Sequence, residues 1–299
     1  MTQRTIEVSG EDTALVVKHG QIQVLRGGEQ VGMIPTEDVG VLIVDTPTAT
    51  YSHVTVVRLL EHGAAVLFSG RDHLPAGMAL PTVGHHIQTE RFRAQIEATA
   101  PARKRLWQAV VREKIRRQAD ACEDPAAATR LRRLATEVKS GDTSNHEAQA
   151  AKVYWGVWRA VPEFARDPDG AHPNPMLNYG YAVVRAAVAR AIVAAGFHPG
   201  LGLQHSNRYN AFCLADDLLE PFRPAVDARV RELVRGGAEE IDKNVKRELL
   251  GILHSPFRTT LGSGPLVHTL ERYMASFHRC LLSTGATLDI PAPADAPAR

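Results

Sequence analysis

Thiols are scarce in this chain of 299 residues: it has three cysteines, Cys122, Cys213 and Cys280, far apart and without paired spacing. That pattern argues against a disulfide framework and a thiolate zinc site, and leaves buried or incidental thiols. Long apolar runs are missing too, and the N-terminus carries no basic-then-apolar export signal, so a cytoplasmic protein with no membrane partner is expected. Nor is there a large charge of one sign. The formal net charge is only +2, so local distribution matters more than the whole-chain balance.

Locally the charge is uneven. From Arg91 to Lys139 there are 13 Lys or Arg against 6 Asp or Glu, a net of +7, which leaves −5 for the remainder. With 44% hydrophobic residues, the length favours two domains. Residues 1–75 read as a small, mostly antiparallel β domain. Thr5–Val8, Ala14–Lys18 and Gln21–Leu25 are short apolar runs, with His19-Gly20 as a two-residue hairpin turn between the last two. Gln30–Ile34 follows Gly27-Gly28, and Val39–Val44 reads as a buried strand. Ser52 caps a short helix that precedes a strand over Ala64–Ser69. A Pro-, Gly- and His-rich linker over 76–90 leads to an α-helical domain spanning 91–289, giving an α+β chain.

Within Arg103–Arg117, Leu106, Trp107, Val110, Val111 and Ile115 share half of a helical wheel, while Arg105, Arg112 and Arg116 form a basic stripe opposite. The stripe, with Arg130, Arg132 and Arg133 beyond it, reads either as a solvated helix face or as a phosphate-contacting surface. Lys243, Lys246 and Arg247 pose the same choice, and there the solvated face is the better reading.

Glu147, His205 and the cluster Asp216, Asp217 and Glu220 are of the types that ligate hard divalent metals. Each has a plainer reading. Ser144 and Glu147 fit a capping box, His205 fits a loop or core histidine, and the acidic cluster fits a solvated helix face offset by Arg223. Spacing adds information, because Glu220 lies three residues after Asp217 and four after Asp216, so either aspartate can neighbour it on a helix. Fifteen residues of unbroken helix would separate His205 from Glu220 by about 22 Å, too far for one ion. The chain must therefore break between them, and Ser206 to Asn210 supplies turn-forming residues.

A wider set of motifs runs through Asn174–Tyr181, Val184-Arg185, Gly196–Pro199, Gly202–Asn210 and Leu214–Pro224. Together with Ile34–Asp38, Lys114, Ile115 and Gln118, and Glu147 with Ala148, Ala151, Tyr154 and Trp155, they resemble the universal CRISPR-associated integrase family, in the version found with a single large effector nuclease. The resemblance covers essentially the whole chain. It implies a metal triad of Glu147, His205 and Glu220 holding Mg²⁺ or Mn²⁺, with Asp217 as auxiliary ligand or water-orienting group and Asp216 behind it. It also implies double-stranded DNA as substrate, a homodimer formed through the β domain, and a small ferredoxin-like companion protein flanked by two such dimers. The implied reaction is attack by the 3′-hydroxyl of a captured fragment on a repeat phosphodiester.

Two alternatives stay open. One is a metal-dependent nuclease that only cuts branched or single-stranded DNA, using the same residues. The other is a noncatalytic nucleic-acid scaffold, indifferent to them. Val226–Val234, Lys243–Leu253 and Leu266–Leu282 read as scaffold helices, and the Pro- and Ala-rich residues 290–299 as a disordered tail.

Overall fold

The computed structural model describes residues 4–71, 75–158, 161, 162 and 164–296. Its first part comprises β1 (Arg4–Ser9), β2 (Thr13–Lys18), β3 (Gln21–Arg26), β4 (Glu29–Pro35), β5 (Val39–Asp45), β6 (Thr50–Tyr51), α1 (His53–Glu61), β7 (Ala65–Ser69) and β8 (Pro75–Ala79). The β2–β3 turn is His19-Gly20, both at positive φ, which matches the right-handed twist of the flanking strands, and Lys18 pairs with Gln21 as that turn requires.

Two four-stranded sheets result, ordered β1-β5-β7-β8 and β4-β3-β2-β6. The α+β expectation holds, but the pairings differ from a mostly antiparallel domain: β1 with β5, β5 with β7 and β2 with β6 are parallel. The reason is visible in β5, which is buried along its whole length, the mark of a strand covered on both faces. Leu42, Val44 and Val66 enter a small core with Leu15, Ile22 and Leu59, whereas Val41, Ile43 and Leu67 enter the main core of the helical part. The sheet is a wall shared by two cores.

β8 occupies Pro75–Ala79, within the stretch expected to be linker, so the connection narrows to residues 80–87. The helical part then comprises α2 (Gln88–Glu97), α3 (Ala100–Ala121), α4 (Pro125–Glu137), α5 (His146–Val157), α6 (Asn174–Ala194), α7 (Cys213–Leu219), α8 (Arg223–Arg235), α9 (Lys243–Gly251) and α10 (Leu266–Leu282), with β9 (Pro256–Thr259), β10 (Gly262–Pro265) and β11 (Ala292–Pro293) beside α10. On α3 the apolar half-wheel is buried as expected, and burial of Trp107 alone contributes about 3 kcal/mol. α6 is buried nearly all round, as a central helix must be. Gly180 lets α8 come close, because a Cβ there would meet Val226 Cγ1 at 2.4 Å.

Polar contacts tie the parts together, among them the buried Lys246 ammonium on α9 with the Asp45 carboxylate at the end of β5, and Arg190 Nε donating to Gly63 O at 2.7 Å. Lys246 is thus not on a solvated face. The tail also departs from expectation. β11 pairs antiparallel with β9, Ala294 N donates to Pro256 O, and Arg258 donates to the carbonyls of Ala294 and Ala296. Residues 290–296 are held because β9 offers an open edge that proline-containing chain can still pair with; residues 297–299 lie outside the described residues. No helix among the described residues is long and apolar enough to cross a membrane.

Candidate active site

Glu147 lies in the first turn of α5. The expected Ser144 capping box does not form. Asn145, in the left-handed region at φ 52°, is the N-cap and accepts from Ala148 N, while Asp142 accepts from the amides of His146 and Glu147 at 2.9 Å each. With its amide satisfied by Asp142, the Glu147 side chain is released inward, where its Oε1 accepts from Lys114 Nζ of α3 at 2.7 Å.

Glu220 comes from the 3₁₀ turn after α7 and is buried. Its Oε1 accepts from Arg223 Nε at 2.8 Å, and its Oε2 makes an ionic contact with Lys114 Nζ at 2.5 Å while carrying no aligned hydrogen bond. Burial pushes the Glu220 carboxyl up, but Arg223 and Lys114 outweigh it and hold the group down at about 2. It is a carboxylate throughout the physiological range. Arg223 is in turn stacked over the Tyr181 ring at 4.5 Å. Behind it Tyr181 donates to Asp227, whose carboxyl burial raises to about 7 despite the tyrosine and Arg223.

His205 sits in the loop between α6 and α7, so the chain does break where the spacing demanded. Asp217, wholly buried on α7, organises that loop: Oδ2 accepts from Leu203 N at 2.6 Å and Gln204 N at 3.0 Å, and Oδ1 meets His205 Nδ1 at 2.5 Å. Gly202 makes the turn feasible, since a Cβ there would meet His205 O at 2.2 Å. The Asp217 hydrogen bond raises the His205 pKa, and Glu220 and Glu147 lie close enough to raise it further. With Nδ1 directed to Asp217 and the ring edge-on to Trp107 at 5.7 Å, Nε2 is the nitrogen left for an incoming group. Asp216 faces the other way, in a two-pronged pair with Arg185 and a bond from Asn210 Nδ2 at 2.6 Å.

The fold therefore brings Glu147, Glu220 and His205 to one place, puts Asp217 beneath His205, and leaves Asp216 outside. Lys114, which connects the two glutamates, and Arg223 were not singled out as site residues. The signal for Lys114 was on the wheel: seven residues after Trp107, it shares the buried side of α3, where a lysine needs anionic partners. A cleft of about 510 Å³ opens beside His205, lined among others by Gln95, Arg103, His198 and Arg208. The basic stripe is partly engaged, with Arg112 Nη2 donating to Val138 O at 2.8 Å and Arg116 paired loosely with Glu113 at 3.7 Å.

The donor set fits a hard divalent ion: two carboxylates, one with a buried oxygen lacking an aligned hydrogen bond, and an imidazole oriented by a third carboxylate. Yet among the described residues no three such groups are gathered tightly enough to hold an ion as they stand. An ammonium sits between the two glutamates.

Residues 6–260 match the family model described as CRISPR associated protein Cas1. The chain belongs to the Cas1 family. A relative described as CRISPR-associated endonuclease Cas1, from Neisseria meningitidis serogroup C, is 39% identical over 268 residues, covering 88% of this chain and 87% of that protein. Among solved structures, a casposase bound to integration product shares the fold with a TM-score of 0.78 at 20% identity, covering 100% of this chain and 95% of the other. A Cas6-RT-Cas1–Cas2 complex superposes with a TM-score of 0.72 at 16% identity, covering 97% of this chain and 36% of its longer counterpart.

Proposed function

We propose that this member of the Cas1 family is a divalent-metal-dependent DNA integrase that joins the 3′-hydroxyl end of a captured fragment to a phosphodiester of a CRISPR repeat. The observation that carries the reading is the convergence of Glu147, Glu220 and His205 from three separate segments, each held by its own partner. When Mg²⁺ or Mn²⁺ is bound, it would polarise the scissile phosphate and acidify the attacking hydroxyl. Glu147 and Glu220 would hold the ion as carboxylates, a state that Arg223 secures for Glu220. His205 would offer Nε2, and Asp217 would fix the ring rather than ligate, since both its oxygens already accept hydrogen bonds. Exchange of one phosphodiester for another requires no energy-rich cofactor and no covalent protein intermediate.

DNA is the substrate and a small Cas2-type protein the companion; the integration product named with one similar structure and the Cas2 named with another support these readings, and the basic residues lining the cleft suit a phosphate backbone. A homodimer through the β half, in the cytoplasm, completes the proposal. The test is a strand-transfer assay with fragments ending in a 3′-hydroxyl, supercoiled repeat DNA, Mn²⁺ and the companion protein. Joined product is expected from the wild type and loss to below about 1% from Glu147→Ala, with DNA binding kept. Nicking without joining favours the cutting reading, and full integration by Glu147→Ala overturns the assignment.

A further inference from the structure

Lys114 emerges from the body of α3 to place one ammonium between the only two carboxylates proposed to hold the metal, 2.7 Å from Glu147 Oε1 and 2.5 Å from Glu220 Oε2. Hard divalent ions take carboxylate oxygens at about 2.0–2.6 Å. An ion bound to both glutamates would therefore claim the space that the ammonium fills. We propose that Lys114 is a built-in counter-cation of the metal site: it stabilises Glu147 and Glu220 while the site lacks an ion, competes with the metal for them, and thereby makes tight metal binding depend on DNA. The inference rests on the metal-dependent reading above.

Formal charge explains the dependence on DNA. Glu147 and Glu220 face Lys114 and Arg223, and Asp217 lies behind His205; below pH 7, where Asp227 is protonated, and with His205 neutral, three negative charges against two positive leave the site one net negative charge. A dication added while both cations remain would leave one net positive charge in a largely buried setting. One phosphodiester brings the balance to zero. Metal and scissile phosphate should then bind together more readily than either binds alone, because each relieves the charge the other creates. Lys114 has the means to yield, since its long stem lets the ammonium swing away from the glutamates towards such a phosphate. Arg223 lacks that freedom: its guanidinium is stacked on Tyr181 and bonded to Glu220 Oε1.

Mn²⁺ binding to the full-length protein, measured by titration calorimetry and by the electron paramagnetic resonance signal of free Mn²⁺, tests this without reference to activity. Lys114→Met removes the charge and keeps much of the stem; Lys114→Gln, which retains a donor between the carboxylates, is the second variant should the first not fold. The neutral variant is expected to bind Mn²⁺ at least about ten-fold more tightly than wild type in the absence of DNA. It should melt at lower temperature than wild type without metal and recover most of the difference in Mn²⁺. Addition of DNA should strengthen Mn²⁺ binding more in the wild type than in the variant. If the wild type binds Mn²⁺ and a folded variant binds it equally or more weakly, Lys114 is no competitor and only this inference falls. If neither protein binds Mn²⁺, with or without DNA, the metal reading itself is wrong and the inference falls with it.

Discussion

Replacing Asp217 by asparagine changes one atom type and should disable the site through the proton on His205. In the wild type, Oδ2 of Asp217 accepts from two loop amides and Oδ1 faces His205 Nδ1, which fixes the imidazole proton on Nδ1 and leaves Nε2 with a free lone pair. An asparagine must keep its oxygen towards the amides of Leu203 and Gln204, because an amide –NH₂ there would set donor against donor. Its –NH₂ then points at Nδ1, which becomes an acceptor, and the neutral ring carries its proton on Nε2. The nitrogen proposed to ligate the metal would become a hydrogen-bond donor. Charge-assisted hydrogen bonds contribute about 1.5–3 kcal/mol against about 1 for neutral ones, so the exchange should cost about 2 kcal/mol if the loop keeps its place. For 299 residues that is a fall of about 3 °C in melting temperature, a folded protein by any assay. Mn²⁺ affinity should fall about 10–100-fold, the usual effect of losing a carboxylate behind a ligating histidine.

The pH dependence gives a second reading of the same variant. The Asp217 bond holds the His205 pKa above its ordinary 6.5, so protons compete with metal from above neutral-imidazole range downward, and wild-type Mn²⁺ affinity should weaken as pH falls through that raised value. The stabilisation from the protonated pair has the opposite sense: it is fully present below 6.5 and is lost as pH rises through the folded-state value. In Asp217→Asn the proton-competition midpoint should move to lower pH. Titrations that give the variant the wild-type Mn²⁺ affinity and the wild-type midpoint refute the tautomer argument.

Lys246→Met withdraws the ammonium from Asp45, a fully buried carboxylate; a broken buried pair costs about 3–5 kcal/mol, or about 5–8 °C of melting temperature here, and Lys246→Met with Asp45→Asn should regain most of it. A single variant melting within about 1 °C of wild type shows that the pair does not fasten the β half to the helices. Deleting residues 291–299 removes the β11 pairing and the Arg258 bonds, so scanning fluorimetry should show a loss of about 3–5 °C, from about 2–3 kcal/mol of hydrogen bonding, with Mn²⁺ affinity unchanged. An unchanged melting curve would mean the strand adds nothing.

Much of the molecule was legible wherever structure follows from local pattern. The wheel on α3, the His19-Gly20 turn, the buried run of β5 and the break between His205 and Glu220 all come from spacing and backbone chemistry. Less legible was whatever depended on partners distant in the chain. Ser144 and Asn145 carry equally good capping chemistry, and the choice fell to Asn145 because Gly141, Asp142 and Asn145 all take positive φ, which swings Asp142 under the helix start. The docked tail depended on an open edge at β9, which proline and alanine content cannot reveal. Asp216 and Asp217 are adjacent and alike, and their roles are separated by their partners, Arg185 and Asn210 for the first and the His205 loop for the second. Lys114 was readable in principle, as a cation on the buried side of its helix, but its two partners come from segments 33 and 106 residues further on.

The sheet β1-β5-β7-β8 has a mechanical consequence. Val41, Ile43 and Leu67 on one face belong to the same packed interior as Trp107 and Tyr179, while Leu42, Val44 and Val66 on the other belong to the β half. Such a wall leaves no joint: close-packed interiors transmit displacement instead of absorbing it. Residues 80–87 connect the halves covalently. Whatever grips the outer strands therefore bears on the interior that β5 and β7 share with α3 and α6.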